Sequence, residues 1–323
     1  METKKVNINQ VSLTYAKQLI ETDELVAFPT ETVYGLGGSA LSDKAIEKIF
    51  EVKGRPADNP LIIHVHKDCD ISMFAFIEHD YTNALIKKFM PGPLTLVLKS
   101  KGIISKKATC GLDTVAVRMP ADPSAQDFLK FVNIPIAAPS ANISSHVSAV
   151  SAQHVLDDFD GKIPLILDGG DCQIGIESTV LDCTQKIPVI LRQGAITEVE
   201  IKEIAGEVII KDFLEHAVRS PGVKYRHYHP KCETILFERG DTDKILETYG
   251  LYQSPYILCD DETAQNFKGK NILPLGKTNK DAAKNLYARL REGEKVADII
   301  IAVALKSDAD SGAVMNRMRK ACQ

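Results

Sequence analysis

Residues 25–37 read LVAFPTETVYGLG. An apolar run, Leu25 to Phe28, meets Pro29, and two threonines, a glutamate and a tyrosine follow before the glycines. Apolar and β-branched residues bounded by proline and glycine signal a strand. The polar tail then falls at the strand's C-terminal end, where open α/β sheets place their ligands. Thr30, Thr32 and Tyr34 alternate, so an extended backbone would aim three hydroxyls at one face. Gly35, Gly37 and Gly38 would let the chain turn tightly or approach a ligand. A polar strand end with a glycine turn satisfies the same pattern, and on these residues alone both readings stand.

Outward from this stretch, strands are expected at PLIIHVH, LTLVLK, TVAVRMP, IPIAAPS, IPLILDGG and STVLDCT. SDKAIEKIFEVKGR reads as a helix, with Ser42 as its N-cap and apolar spacing at Ala45, Ile46, Ile49 and Phe50. Beyond residue 231 the alternation is cleaner. ETILFE, SPYILC, NILPL and ADIIIAVAL read as strands, and TDKILETYG, DAAKNLYARLREGEKV and AVMNRMRKACQ as helices. That order implies a small parallel α/β unit. No GxGxxG follows a strand, and Gly276-Lys277-Thr278 lacks the first glycine of a P-loop because position 271 is Asn. Between the halves, RSPGVKYRHYHPK (219–231) has no apolar period but carries tyrosines, histidines and prolines, the composition of an ordered linker.

The 323 residues are 44% apolar and 25% charged, proportions of a globular protein with a core. A net charge of −4 supplies no general field for nucleic acid. Seven scattered cysteines without a CxxC pair point away from a disulfide framework and a structural zinc site. The N-terminus lacks an apolar signal core, and no apolar run reaches membrane-spanning length, so a cytoplasmic protein is expected.

Several further clusters carry chemistry. Lys53 and Arg55 in KGRPADNPL could hold phosphate oxygens, or simply form a solvated helix end. His64 and His66 share a face of one expected strand, with no third ligand at metal spacing. Arg118, within the apolar strand TVAVRMP, requires an anionic partner, either a structural carboxylate or a substrate's. Thr114 precedes it by four residues on the same face. Ser140, Asn142 and Ser148 in APSANISSHVSAV offer uncharged donors and acceptors for a nucleotide, or a loop and cap. Gly169, Gly170 and Gly175 could form a backbone nest for an anion, with Ser178 and Thr179 beyond them and Arg192 ending another strand. Arg and Lys beside Ser, Thr, Asn and Gly is the inventory for a nucleotide and a small zwitterion, with catalysis by position and charge.

In order, FPTETVYGLG, KGRPADNPL, APSAN, ESTVLD and RSPGVKYRHYHP resemble the threonylcarbamoyl-AMP synthase family in its long two-domain form. The resemblance implies a YrdC-like twisted mixed sheet with helices over residues 1–210, a linker or lid at 211–231 and a Rossmann-like parallel α/β domain at 232–323. It implies that ATP, with Mg2+, L-threonine and bicarbonate or CO2 give threonylcarbamoyl-adenylate and pyrophosphate. A separate transferase complex would then modify tRNA, with no stable tRNA binding by this chain. Carried over by motif, Lys53, Arg55, Ser140 and Asn142 would serve the phosphates and catalysis. Asn59, Thr114, Ser148, Arg192 and Tyr228 would complete the ATP site. Thr32, His64, Arg118, Ser178 and the backbone of Ala138 would hold threonine, with Thr30 and Tyr34 as support. No protein metal site is implied, and Tyr225 and Tyr228 would belong to the segment that closes over the site. Gln193 stands where the family commonly has proline, and DADSGAVMNRMRKA is less glycine-rich than its usual C-terminal motif. A hydrogenase-maturation relative handling carbamoyl-adenylate, or an RNA-binding module, are the alternatives. The first lacks its zinc-finger cysteines here and the second its basic face.

Overall fold

The computed structural model describes residues 2–210 and 228–322, so most of the expected linker, Tyr225 included, lies outside the described residues. The chain divides into two compact units. The first holds residues 2–144, 149–172 and 177–210; the second holds Ser145–Ser148, Gln173–Ile176 and residues 228–322.

The first unit opens with strand β1 (Lys4–Asn7) and helix α1 (Gln10–Glu21), which is started by Asn9 in a capping box with Ser12. Then come β2 (Val26–Phe28), β3 (Gly35–Ser39), α2 (Asp43–Lys53) and β4 (Ile62–His64). They are followed by β5 (Ala75–Phe76), α3 (Asp80–Phe89), β6 (Leu94–Ser100), β7 (Thr114–Arg118), α4 (Pro123–Val132) and β8 (Ile136–Ala137). The unit closes with α5 (Ala152–Phe159), β9 (Leu165–Asp168), β10 (Thr179–Asp182), β11 (Val189–Arg192), α6 (Glu198–Ala205) and β12 (Ile209–Ile210).

The strands form one mixed sheet in the order β1-β9-β2-β3-β8-β4-β7-β6-β10-β11-β12, with β5 beside β6. Apolar side chains of α1 and α4 cover part of it. Leu13, Ala16, Ile20, Phe128 and Leu129 pack on Val26, Phe28, Ile136, Leu165 and Leu167. Each such buried Leu, Ile or Phe contributes about 1.5–3 kcal/mol over leaving it in water.

Helix α2 begins as expected, with the Ser42 hydroxyl accepting from the Ala45 N–H. It stops at Lys53 rather than running on to Arg55. Gly54 takes the left-handed conformation (φ 59°), which costs glycine nothing. The helix buries Ala45, Ile46, Ile49 and Phe50 on one stripe. Lys53 falls on that stripe and is only 2% exposed, so the solvated helix end is not what forms.

The polar tail of the opening stretch is not an extended strand. β2 and β3 pair antiparallel, Val26 with Gly37 and Phe28 with Gly35, so residues 29–34 make the loop of a hairpin. The three hydroxyls therefore do not share a strand face. The loop is buried throughout, and its threonine and tyrosine hydroxyls find partners in the loop itself and in neighbouring segments, as burial demands, while the Glu31 carboxylate oxygens have no hydrogen bond among the described residues.

The second unit has a four-stranded parallel sheet in the order β13-β16-β14-β15. Its elements are β13 (Glu233–Phe237), α7 (Thr242–Gly250), β14 (Pro255–Cys259), α8 (Asp261–Ala264), β15 (Ile272–Pro274), α9 (Asn279–Val296), β16 (Ile299–Val303) and α10 (Ser311–Ala321). Ile245, Ile257, Cys259, Ile299, Ile301 and Val303 form a core there. Thr278, in the P-loop look-alike, caps α9 in a box with Asp281. Among the described residues, no helix is long and apolar enough to cross a membrane.

Candidate functional site

The hairpin loop is the first wall. Thr30 donates its hydroxyl to the Val33 carbonyl (2.7 Å), which leaves Thr32 to donate to Thr30 Oγ1 (2.9 Å). Thr32 Oγ1 in turn accepts from Arg118 Nη1 (2.8 Å). One directed chain thus runs from the guanidinium through both threonines to a backbone carbonyl. Tyr34 points elsewhere. Its hydroxyl donates to the Gly170 carbonyl (2.7 Å) and accepts from the Gly169 N–H (3.3 Å), and burial pushes its pKa up. Gly170 N–H is also taken, by Asp168 Oδ1 (3.0 Å). The expected glycine nest therefore has its N–H groups at 169 and 170 already engaged, and no anion cradle forms there.

The second wall is a rung of the sheet. β4 and β7 pair His64 with Arg118, and β6 and β7 pair Arg118 with Thr95, so the three side chains share one face. Arg118 is 3% exposed. Its Nη2 lies 2.7 Å from Glu31 Oε1, and its Nε donates to the Gly92 carbonyl (3.4 Å). The carboxylate beside Arg118 in this structure is Glu31, a residue that the sequence did not single out. Thr95 Oγ1 meets Ser178 Oγ at 2.8 Å. Arg192 brackets Ser178, with Nη2 donating to Oγ (3.0 Å) and Nε to its carbonyl (3.0 Å). The turn after Arg192 passes so close that a Cβ on Gly194 would lie 2.3 Å from Thr179 N, which leaves room only for glycine. Thr114 stands at the far end of β7, about 13 Å from Arg118 by strand rise, which separates the two.

His64 packs its ring edge-on to Phe28, and its Nδ1 lies 3.2 Å from the Ile62 carbonyl oxygen. Burial first, then the Arg118 charge, lower its pKa from 6.5 to about 3, outweighing the Ile62 and Ile136 carbonyls. The imidazole is neutral at pH 7, a hydrogen-bonding group rather than a charge. His66 lies beyond the strand and reaches Asn133 Oδ1 (3.2 Å), so the two histidines form no pair. The unfolded chain protonates a histidine near pH 6.5 and the folded chain protonates His64 only near pH 3. Its contribution to stability is therefore complete above pH 6.5 and is lost as pH falls toward 3. Acidification from pH 7 to 5 should cost roughly 2 kcal/mol through this residue. Urea unfolding at the two pH values checks this, with His64→Gln expected to flatten the difference. An unchanged difference would show that His64 is not the group responsible.

The third wall joins α2 to the APSAN segment. Lys53 Nζ donates to the Ser140 carbonyl (2.6 Å) and to the Asn142 carbonyl, and Ser144 N–H donates to the Lys53 carbonyl (2.9 Å). Gly35 bridges Ser140, and Ala141 N–H donates to the Tyr34 carbonyl (2.7 Å), so this segment lies along the hairpin. Ala138 N–H donates to the Ile62 carbonyl (2.9 Å). Arg55 Nη2 donates to the Asn59 carbonyl (3.2 Å), and Asn59 is 4% exposed with Oδ1 unbonded among the described residues. The first unit thus brings together Thr32, Arg118 and His64, then Ser178 and Arg192, then Lys53, Ser140 and Asn142.

Ser148 and Tyr228 are described in the second unit. There Arg291 of α9 holds the Ser148 loop, its Nη2 donating to the Val147 carbonyl (2.5 Å) and its Nε to the Ser148 carbonyl (3.4 Å). Glu294, one helical turn on, pairs with His146 (2.9 Å). Burial pushes the Glu294 carboxyl up, but His146, the Lys231 N–H and Arg291 together hold it below the usual range. Tyr228 stacks on Tyr287 at 5.3 Å with a positive φ of 67°.

Among the described residues no three His, Cys, Asp or Glu gather as a metal site. Among the partners of the Lys53 ammonium are two backbone carbonyl oxygens, those of Ser140 and Asn142.

The Sua5/YciO/YrdC family, described as telomere recombination, matches residues 18–194. The family described as threonylcarbamoyl-AMP synthase, C-terminal domain, matches residues 196–323. The chain belongs to the threonylcarbamoyl-AMP synthase family. It is 42% identical to the threonylcarbamoyl-AMP synthase of Pyrococcus abyssi, across 97% of this chain and 95% of the relative. It is 38% identical to that of Bacillus subtilis, across 99% and 95%. The crystal structure of P. abyssi Sua5 complexed with L-threonine superposes with a TM-score of 0.89 at 40% identity, covering 99% of this chain and 97% of that one. Glu31 and Thr95, which contact Arg118 and Ser178, are residues that the sequence did not single out. The signal for Glu31 was an acid lodged between two threonines directly after a wholly apolar strand.

Proposed function

We propose that this chain makes L-threonylcarbamoyl-adenylate and pyrophosphate from L-threonine, bicarbonate or CO2, and ATP carried as its magnesium complex. The observation that carries this reading is the buried Arg118, bonded to Thr32 of the hairpin loop and level with neutral His64 on the sheet, beside a lysine-fastened Ser140–Asn142 turn, in a chain whose relative crystallised with L-threonine. In this reading Arg118 takes the amino acid's carboxylate, and Thr32, His64, Ser178 and the Ala138 backbone take its remaining polar groups. Lys53, Arg55, Ser140 and Asn142 serve the phosphates, while Asn59, Thr114 and Arg192 hold the nucleotide. Ser148 and Tyr228 keep their nucleotide roles from the family resemblance alone.

The threonine ammonium forms a carbamate with CO2 by releasing two protons to solvent, or with bicarbonate by releasing one proton and a water. The carbamate oxygen then attacks the α-phosphorus as the bond to the leaving pyrophosphate breaks. Charge grows on the phosphoryl and leaving oxygens, so fixed cations and donors lower the barrier without reorganising. Magnesium would arrive on the nucleotide's own oxygens. The product would pass to a separate tRNA-modifying transferase in the cytoplasm, a division of labour that suits a net charge of −4. With ATP, Mg2+ and bicarbonate, the purified chain should release pyrophosphate only when L-threonine is added. Release of equal size without threonine would overturn the assignment.

A further inference from the structure

Glu31 is the one acid in the hairpin loop, and it is buried, at 7% exposure. Its Oε1 lies 2.7 Å from Arg118 Nη2, yet no N–H is aimed along that contact. Neither Glu31 oxygen, nor Arg118 Nη2, has an aligned hydrogen bond among the described residues. Arg118 spends its other groups on Thr32 and on Gly92. Two opposite charges thus lie side by side, buried, each with hydrogen-bonding capacity left over. Such groups call for partners, because a buried charge without them is costly.

The charge around the pair is unbalanced. Asp122, half-buried, is pushed above the usual carboxylate range first by burial and then, against its bond from Ala125 N–H, by Glu31 itself. His64 beside Arg118 is neutral. Glu31 thus pairs with Arg118 while also bearing on a second carboxyl, Asp122, close enough to feel its charge. A carboxylic acid alone would add another negative group beside Glu31; an α-amino acid brings its own cation one carbon away from its carboxylate.

We propose that Glu31 is the ammonium-binding pole of the amino-acid site, with Arg118 as its carboxylate pole. The inference rests on the reading of Arg118 as the amino-acid anchor. It adds that the site selects a zwitterion rather than any hydroxy acid. A site built to bond an N–H group rejects analogues lacking it far more strongly than an apolar pocket rejects a missing methylene.

The test is calorimetric binding, without ATP, of L-threonine and of 3-hydroxybutanoate, which keeps the carboxylate and hydroxyl but has no ammonium. The wild-type chain should prefer threonine by about 100-fold or more, and Glu31→Gln should shrink that preference to about 10-fold or less, chiefly by weakening threonine. Glu31→Asp, charged but shorter, should fall between the two, and it carries the test if the glutamine variant does not fold. Arg118→Ala should weaken both ligands. An undiminished preference in folded Glu31→Gln or Glu31→Asp would overturn the ammonium role. Unchanged threonine binding in Arg118→Ala would instead overturn the amino-acid reading of the site, so the two failures are distinct.

Discussion

Arg118→Ala is expected to raise the KM for threonine by about 30-fold or more, the effect of losing about 2–5 kcal/mol when one member of a desolvated charge pair is removed. The KM for ATP should move by less than about threefold, because among the described residues none of Arg118's partners belongs to the Lys53 cluster. The same change removes the countercharge of buried Glu31 and the donor to Thr32. Breaking a buried pair in this way typically costs about 3–5 kcal/mol of stability, so a clear fall in Tm should accompany the kinetic defect. Steady-state kinetics with each substrate varied in turn, beside a thermal melt, separates the two. Equal losses for ATP and threonine would show that Arg118 serves the fold and not the amino acid.

Lys53→Met is expected to act on kcat. Methionine keeps much of the apolar stem inside the α2 stripe and removes only the ammonium group. Loss of one preorganised charge or donor at a developing anion typically lowers kcat by about 100- to 1,000-fold. The same ammonium ties the carbonyls of Ser140 and Asn142 to the end of α2. Leaving those carbonyls short of a donor should also lower stability by about 1–3 kcal/mol. Pyrophosphate release at saturating threonine and ATP measures the first effect, and urea unfolding the second. Undiminished kcat in the variant would reduce Lys53 to a structural pin.

Much of this architecture was legible locally. Ser42 capping a helix with apolar spacing at 45, 46, 49 and 50 needs no distant partner to be read, and α2 forms where that pattern places it. The second unit's strands and helices were equally plain, because parallel strands buried on both faces read as apolar runs. The PTETVY tail misled at one point. Alternation of hydroxyls suggests an extended strand, but β3 pairs back on β2 and turns the same residues into a buried hairpin loop. An alternating pattern reports which faces differ in polarity; it does not report where a strand stops pairing. For the same reason Thr32 and Tyr34, expected on one side, send their hydroxyls to different partners.

The sequence by itself determined the fold class, the presence of a capped α2 with cations at its end, and the chemical inventory of the site. Those follow from short-range rules: side-chain period, capping, and the cost of an arginine inside an apolar strand. The tertiary structure decided which groups meet. Thr32 and Arg118 are 86 residues apart, and Lys53 and Ser140 are 87 apart. No local rule relates them; they meet because the order β3-β8-β4-β7-β6 lays those strand ends side by side. Glu31 shows the difference most clearly. Its carboxylate reads locally as one polar residue among several, and only long-range strand pairing buries it against Arg118. Burial in a low-dielectric interior is what turns that ordinary acid into one pole of a charged pair.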